Sequence, residues 1–220
     1  MGDIENIDES TTHDTIQEAI DEANEGDTIE VESGVYVGFD LDKTDVTVIG
    51  KSGAVIENDP DENDGQVILS GSGATIEGFE FDGDFTHAAG AVGVDSFENA
   101  DGSMFRPLIL VNGNDATVEG TTIDLDRSDY SGSEIAVQLD GDDATVAEST
   151  LQFDDVTAGT GQPIVEVTGV SCEITGNTLS RNIGGWVMQG VTVSVTDNTF
   201  DGDERHIGFT GGVSDRSPTM

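Results

Sequence analysis

The stretch IAVQLDGDDATVAESTLQF, residues 135–153, holds the unit from which the chain is built. Ile135 to Leu139 reads as a strand, and Asp140-Gly141-Asp142-Asp143 as a turn. Thr145 to Ala147 and Thr150 to Phe153 read as two more strands across a short bend. Outward from Val146 the same unit recurs, in one apolar column of Val48, Ile76, Val118, Val146, Ile174 and Val195. Nine residues before each member stands another apolar residue: Phe39, Val67, Ile109, Val137, Val165 and Trp186. Seven before stands a third set, Leu41, Leu69, Val111, Leu139, Val167 and Met188. Five after, from the second member on, come Phe81, Ile123, Leu151, Leu179 and Phe200. The first column advances in steps of 28, 42, 28, 28 and 21 residues. A period of this size with alternating strands inside it predicts a stacked, quasi-one-dimensional fold. An antiparallel sandwich would not require fixed offsets of seven, nine and five across separate units.

Composition bounds what such a stack can do. Among 220 residues there are 46 acidic and 7 basic ones, a formal net charge of -39. In dilute buffer that charge strains a compact state by self-repulsion. In molar salt the screening length falls to about 3 Å and the strain largely disappears. The balance therefore points to a salt-in halophile, or to something that replicates in one; a surface for cations or basic partners is the other reading. No nucleic-acid partner is expected, because the five arginines are scattered and form no basic patch. No membrane insertion is expected, since no 18-residue stretch is free of charge. The start MGDIENIDES has no apolar signal region, so a chain beginning naturally at Met1 would fold in the cytoplasm. The single cysteine, Cys172, excludes an internal disulfide framework and reads as a small packing residue in a strand.

The organisation has three parts. Residues 1–13 read as a polar lead-in, 14–200 as the repeat domain, and 201–220 as a terminal cap or oligomer contact. A helix is predicted over 15–24, with Ile16, Ala19, Ile20 and Ala23 on one stripe. Thr15 and Glu18 have the capping-box spacing, and Gly26 suits a left-handed C-cap. Such a helix would close the open end of a stacked core. The 42-residue step places a lateral insertion at 82–107, either functional or folded back over the stack. The tail DGDERHIGFTGGVSDRSPTM holds Ile207, Phe209 and Val213 outside the pattern.

The stretch TIQEAIDEANEGDTIEVESGVYVGFDLDKTDVTVIG, with the later segments ATIEGFEF, ATVEGTTI, CEITGNTL and SVTDNTF, resembles right-handed parallel β-helix proteins of the pectate-lyase-like group. The resemblance covers most of residues 14–200. It implies an all-β fold, a right-handed single-stranded parallel β-helix of about six coils with an N-terminal capping helix. Six coils at a strand spacing of about 4.8 Å make a body roughly 30 Å long. It implies no single activity, because the group spans lyases, hydrolases, adhesins and viral spikes.

Candidate chemistry is sparse. Asp142-Asp143 and Asp154-Asp155 are the acidic pairs a glycosidase dyad would draw on, but the G-H-G and R-I-K motifs of the polygalacturonase-like enzymes are absent. A lyase would need a base such as Arg127, Arg181 or Arg205, of which Arg181 lies beside a coil turn; a surface ion pair is the simpler role. His13, His87 and His206 are too dispersed for a metal motif. Trp186 reads as core, and Tyr36 and Tyr130 as exposed contacts. No catalytic or metal site and no cofactor is therefore expected, beyond Ca²⁺, Na⁺ or K⁺ held weakly at turn aspartates such as Asp140 and Asp142. Phe85, Phe97, Phe105 and Phe209 are the candidate interface residues. The expected function is a non-enzymatic structural or attachment protein on the surface of a haloarchaeal virion, as capsid turret, spike or tail fibre. Its partners would be further copies of itself, other virion or surface proteins, and a host-surface glycan. A polysaccharide lyase or hydrolase of a halophile, or a domain excised from a cell-surface protein, are the alternatives.

Overall fold

The structure is a computed structural model that describes residues 3–57, 66–82, 97–98, 104–105, 107–126, 135–154, 164–180, 183–186, 192–200 and 207–210. Among them the chain passes through three parallel sheets in the same order, seven times. Sheet A takes Thr28–Val31, Thr47–Gly50, Thr75–Glu77, Thr117–Glu119, Thr145–Ala147, Glu173–Thr175 and Ser194–Thr196. Sheet B takes Gly34–Tyr36, Ala54–Ile56, Glu80–Phe81, Thr122–Asp126, Thr150–Asp154, Thr178–Leu179 and Thr199–Phe200. Sheet C takes Asp40–Leu41, Val67–Leu69, Ile109–Val111, Val137–Leu139, Val165–Val167, Ile183–Trp186 and Ile207–Thr210. Each strand pairs with its counterpart one circuit on, so a sheet of seven strands is about 30 Å long at the usual spacing.

The apolar columns are the registers of these sheets. In sheet A the column from Val48 to Val195 pairs member to member, and Ile29 precedes it opposite Val48. In sheet C, Leu41, Leu69, Val111, Leu139 and Val167 are successive partners. In sheet B the column runs from Phe81 to Phe200 and begins earlier, at Tyr36 and Ile56. Val48, Ile76, Val118, Val146 and Ile174 are fully buried. Burying an aliphatic side chain of this size contributes roughly 1.5–3 kcal/mol, so stacking equivalent residues builds one continuous core.

One column breaks. Ile183, not Trp186, stands opposite Val165, and Trp186 is paired with Thr210. Sheet C steps 18 residues there while sheet A steps 21, so an offset of nine carried from earlier circuits overshoots by three. Met188, assigned to the neighbouring column, lies outside the described residues. The tail also differs from expectation: Ile207–Thr210 continues sheet C as its seventh strand, with Ile207 opposite Ile183. Within the insertion, Phe97–Glu98 and Met104–Phe105 form a separate antiparallel pair.

The connections are as regular as the strands. Between sheets C and A, Asp45, Asp115, Asp143 and Ser171 take φ of 55°, 58°, 58° and 61° at equivalent positions. Asp is among the few residues with a side chain that tolerate this region. Two residues before Asp115, Asp143 and Ser171 stand Gly113, Gly141 and Gly169, with Gly71 equivalent one circuit earlier. A Cβ on Gly141 would lie 2.0 Å from the carbonyl oxygen of Gly113, and one on Gly169 2.0 Å from that of Gly141. The stacked turns touch backbone to backbone, and only glycine fits.

The N-terminal end is covered. Helix α1, Ile16–Glu22, buries Ile16, Ala19 and Ile20. Thr15 is its N-cap, its hydroxyl accepting the Glu18 N–H at 3.1 Å. The C-cap is Ala23, in an extended conformation; Gly26 does take a φ of 85°, but in the turn beyond the helix. The lead-in is more than polar chain. Ile4–Asn6 pairs antiparallel with Thr28–Val31 and with Thr11–His13, extending sheet A past its first parallel strand. Ile4 and Asn6 are both 1% exposed, which is why this segment is ordered against the core. Asp27, also buried, accepts from Asn6 Nδ2 and from the Asn24 N–H, both at 2.8 Å. These bonds, that from Asn6 first, hold its carboxyl below the ordinary range. Lys43 Nζ donates to the Asp21 carbonyl at 3.0 Å and ties the helix to the first circuit.

Candidate functional site

Among the described residues, the turn aspartates are the candidates for enzymatic or ion-binding chemistry. Their partners give them structural work. Asp142 donates its backbone N–H to Asn114 Oδ1 at 3.0 Å, and its own Oδ1 accepts the Val170 N–H at 2.9 Å. Each side chain thus spans to the next circuit. Asp143 is the residue of positive φ in the same turn. Asp140 accepts from Gln138 Nε2 at 3.1 and 3.0 Å on its two oxygens, and from the Thr168 hydroxyl on one of them. These donors take up part of the acceptor capacity of Asp140 and one oxygen of Asp142. Asp154 pairs in register with Asp126, and Asp155 lies outside the described residues.

A second ladder, unread in the sequence, runs inside the bend between sheets A and B through Thr121, Ser149, Asn177 and Asn198. The Thr121 N–H donates to Ser149 Oγ at 3.1 Å, the Ser149 N–H to Asn177 Oδ1 at 2.8 Å, and the Asn177 N–H to Asn198 Oδ1 at 2.9 Å. The amide of Asn177 donates to the Val146 carbonyl at 2.9 Å, and that of Asn198 to the Ile174 carbonyl at 2.8 Å. Thr121, Ser149 and Asn177 are buried, yet each has hydrogen-bond partners here. The signal was available: these residues stand three after members of the sheet A column.

A third polar group lies on the outward face of sheet C, where Leu110, Gln138, Glu166 and Gly184 are successive register partners. Leu110 and Gln138 are buried although they point away from the core. Gln138 Oε1 is buried with no hydrogen-bond partner. Burial first, and the Asp140 charge second, push the Glu166 carboxyl above its ordinary value.

The remaining candidates resolve individually. Tyr36 is not an exposed contact: it is 4% exposed and its hydroxyl donates to the Glu32 carbonyl at 2.7 Å. Its inward position follows from the sheet B register, opposite Ile56. Cys172 is buried just before Glu173–Thr175, equivalent to Ala74, Ala116 and Ala144, and burial pushes its thiol up to about 11. His13 Nε2 is 3.0 Å from Thr11 Oγ1, and Nδ1 lies 4.0 Å from Glu22, at the N-terminal end. Phe97 and Phe105 are backbone register partners in the antiparallel pair, and Phe209 is the register partner of Gly185 in sheet C. Phe85, Tyr130, Val213, His87, His206, Arg127, Arg181 and Arg205 lie outside the described residues. Among the described residues no three His, Cys, Asp or Glu side chains are grouped to hold a metal ion, and no helix is long and apolar enough to cross a membrane. Comparison with protein-family models, curated proteins and solved structures finds no match to this chain.

Proposed function

We propose that the three sheets close into a right-handed single-stranded parallel β-helix, and that the protein is a non-enzymatic structural or attachment component. The setting we assign is the surface of a haloarchaeal virion, as a capsid turret, spike or tail fibre that works as a homo-oligomer beside other virion proteins and contacts a host-surface glycan. One observation carries the reading. The turn aspartates Asp140 and Asp142 accept hydrogen bonds from Thr168 and Val170 of the following circuit and so tie one circuit to the next. A stack whose polar residues maintain its own regularity suits a rigid spacer or projection. The net charge of -39 suits assembly in molar salt, where it is screened. Quantitative mass spectrometry of density-purified extracellular particles from the source culture tests this. Recovery in fixed stoichiometry with capsid proteins is the expected result. Absence from particles, or cleavage of a polysaccharide in molar salt with calcium, would overturn it.

A further inference from the structure

Gln138 lies on the outward face of sheet C and is 3% exposed. Its Nε2 donates to both oxygens of Asp140, which fixes which end of the amide is which. The other end, Oε1, is a buried acceptor with no donor. Such a group costs free energy unless something satisfies it. Its register partner on the next strand is Glu166, one strand spacing of about 4.8 Å away on the same face. A carboxylate at Glu166 offers only acceptors and faces a second carboxylate at Asp140. A carboxylic acid at Glu166 offers one O–H.

We propose that Glu166 is held in the folded protein as the neutral acid and donates its O–H to Gln138 Oε1. The chain of bonds then runs from Glu166 to Gln138 to Asp140, with Thr168 donating to Asp140 from the other side. Every donor in the chain meets an acceptor, and the only charge left is on Asp140, where the donors converge. The face is an acid-strengthened clasp between two circuits.

The surroundings of Glu166 agree. Burial, then the Asp140 charge, raise its carboxyl above the ordinary value. On the preceding strand its partner is Gln138, and the titratable group beyond is Asp140. On the following strand its partner is Gly184, which brings no charge. On its own strand Val165 and Val167 point into the core and Thr168 is neutral. A carboxyl raised in the folded state makes folding take up a proton. Its contribution is fully present below the unfolded value and is lost as pH rises through the folded one.

Carbon-13 titration of the glutamate carboxyls, with denaturant unfolding at about pH 5 and about pH 8 in constant molar salt, tests the clasp. In the wild type Glu166 should titrate above the exposed glutamates. Gln138→Leu should lower that midpoint by removing the acceptor. Glu166→Gln keeps a donor at every pH, so it should match the wild type at the acidic pH and exceed it at the alkaline one. Other carboxylates respond to pH alike in both chains, so the difference isolates this pair. A Glu166 midpoint among the exposed glutamates would overturn the proposal. So would a wild type more stable than Glu166→Gln at pH 8, which would mean that the charged form, and hence a bound cation, is what the face uses. Should Gln138→Leu fail to fold, the titration of the wild type and the Glu166→Gln comparison decide.

Discussion

The bend between sheets A and B and the outward face of sheet C solve the same problem in different ways. Both set a buried polar side chain beside a polar side chain of the next circuit. In the bend, Ser149, Asn177 and Asn198 each carry an acceptor that takes a backbone N–H of the circuit before, and the two asparagines also donate amide hydrogens to backbone carbonyls. On sheet C, Gln138 can place its N–H groups on Asp140, but its oxygen finds nothing in the backbone. A bend exposes backbone groups that the sheets leave unpaired, and short polar side chains fit them. A flat sheet face has already spent its backbone groups on neighbouring strands, so a polar side chain there must find another side chain. Repetition satisfies the first kind of residue automatically and leaves the second to depend on which neighbour it meets.

Both regions rest on the packed column beneath them, and the largest effects should come from breaking it. Val146→Asp would put a carboxylate at a fully buried position shared by Val118 and Ile174. The expected result is no cooperative unfolding transition by circular dichroism in molar salt. Gly141→Ala comes next, because its methyl would meet the Gly113 carbonyl at 2.0 Å and push two circuits apart. Calorimetry should show a loss of about 3 kcal/mol or more, on the scale of a forced overpacking. Asn177→Ala tests the bend ladder itself, leaving the Ser149 N–H without its acceptor and taking the side-chain donor from the Val146 carbonyl. A loss of about 1–3 kcal/mol is expected from the buried N–H so orphaned. A cost under about 0.5 kcal/mol would mean that water replaces the ladder and the contrast with sheet C is false.

Smaller effects are expected at the capped end. The lowered carboxyl of Asp27 contributes stability that is present above its unfolded value near 3.9 and is lost as pH falls through the folded one. Its sign is opposite to that of Glu166. Asp27→Asn should therefore flatten the acid limb of the stability profile, read from urea midpoints between about pH 5 and about pH 3. Thr15→Ala removes the oxygen that caps α1 and should cost about 1 kcal/mol.

Much of the architecture was legible because stacked strands repeat their burial pattern. The sheet A column, the strands around the Asp140 turn, the helix stripe and the Thr15–Glu18 cap could be read from spacing alone. The first circuit, Thr28–Val31 and Gly34–Tyr36, reads as strand but falls outside the columns because Ile29 precedes Val48 by only 19 residues, short of the dominant step. The assignment of Trp186 failed because one circuit shortens unequally in sheets A and C, which spacing along the chain does not reveal. Tyr36 was read as exposed because an aromatic with a hydroxyl suits a surface, whereas register alone places it inside. The polar ladders were harder still. In a chain with 46 acidic residues, an aspartate that bridges two turns looks like one that merely faces solvent. Only the three-dimensional stack shows that Asp142 reaches Val170, or that Gln138 stands beside Glu166.

The stacking register is the claim on which the ladders and the proposed function depend. Nuclear Overhauser spectroscopy of methyl- and amide-labelled protein in molar salt tests it most directly. The account predicts cross-peaks from Val146 to both Val118 and Ile174, and from the Asn177 side-chain amide to its neighbours Val146 and Asn198. An antiparallel pairing of Thr145–Ala147 with a sequence-adjacent strand, with no contact from Val146 to Val118 or Ile174, would contradict it.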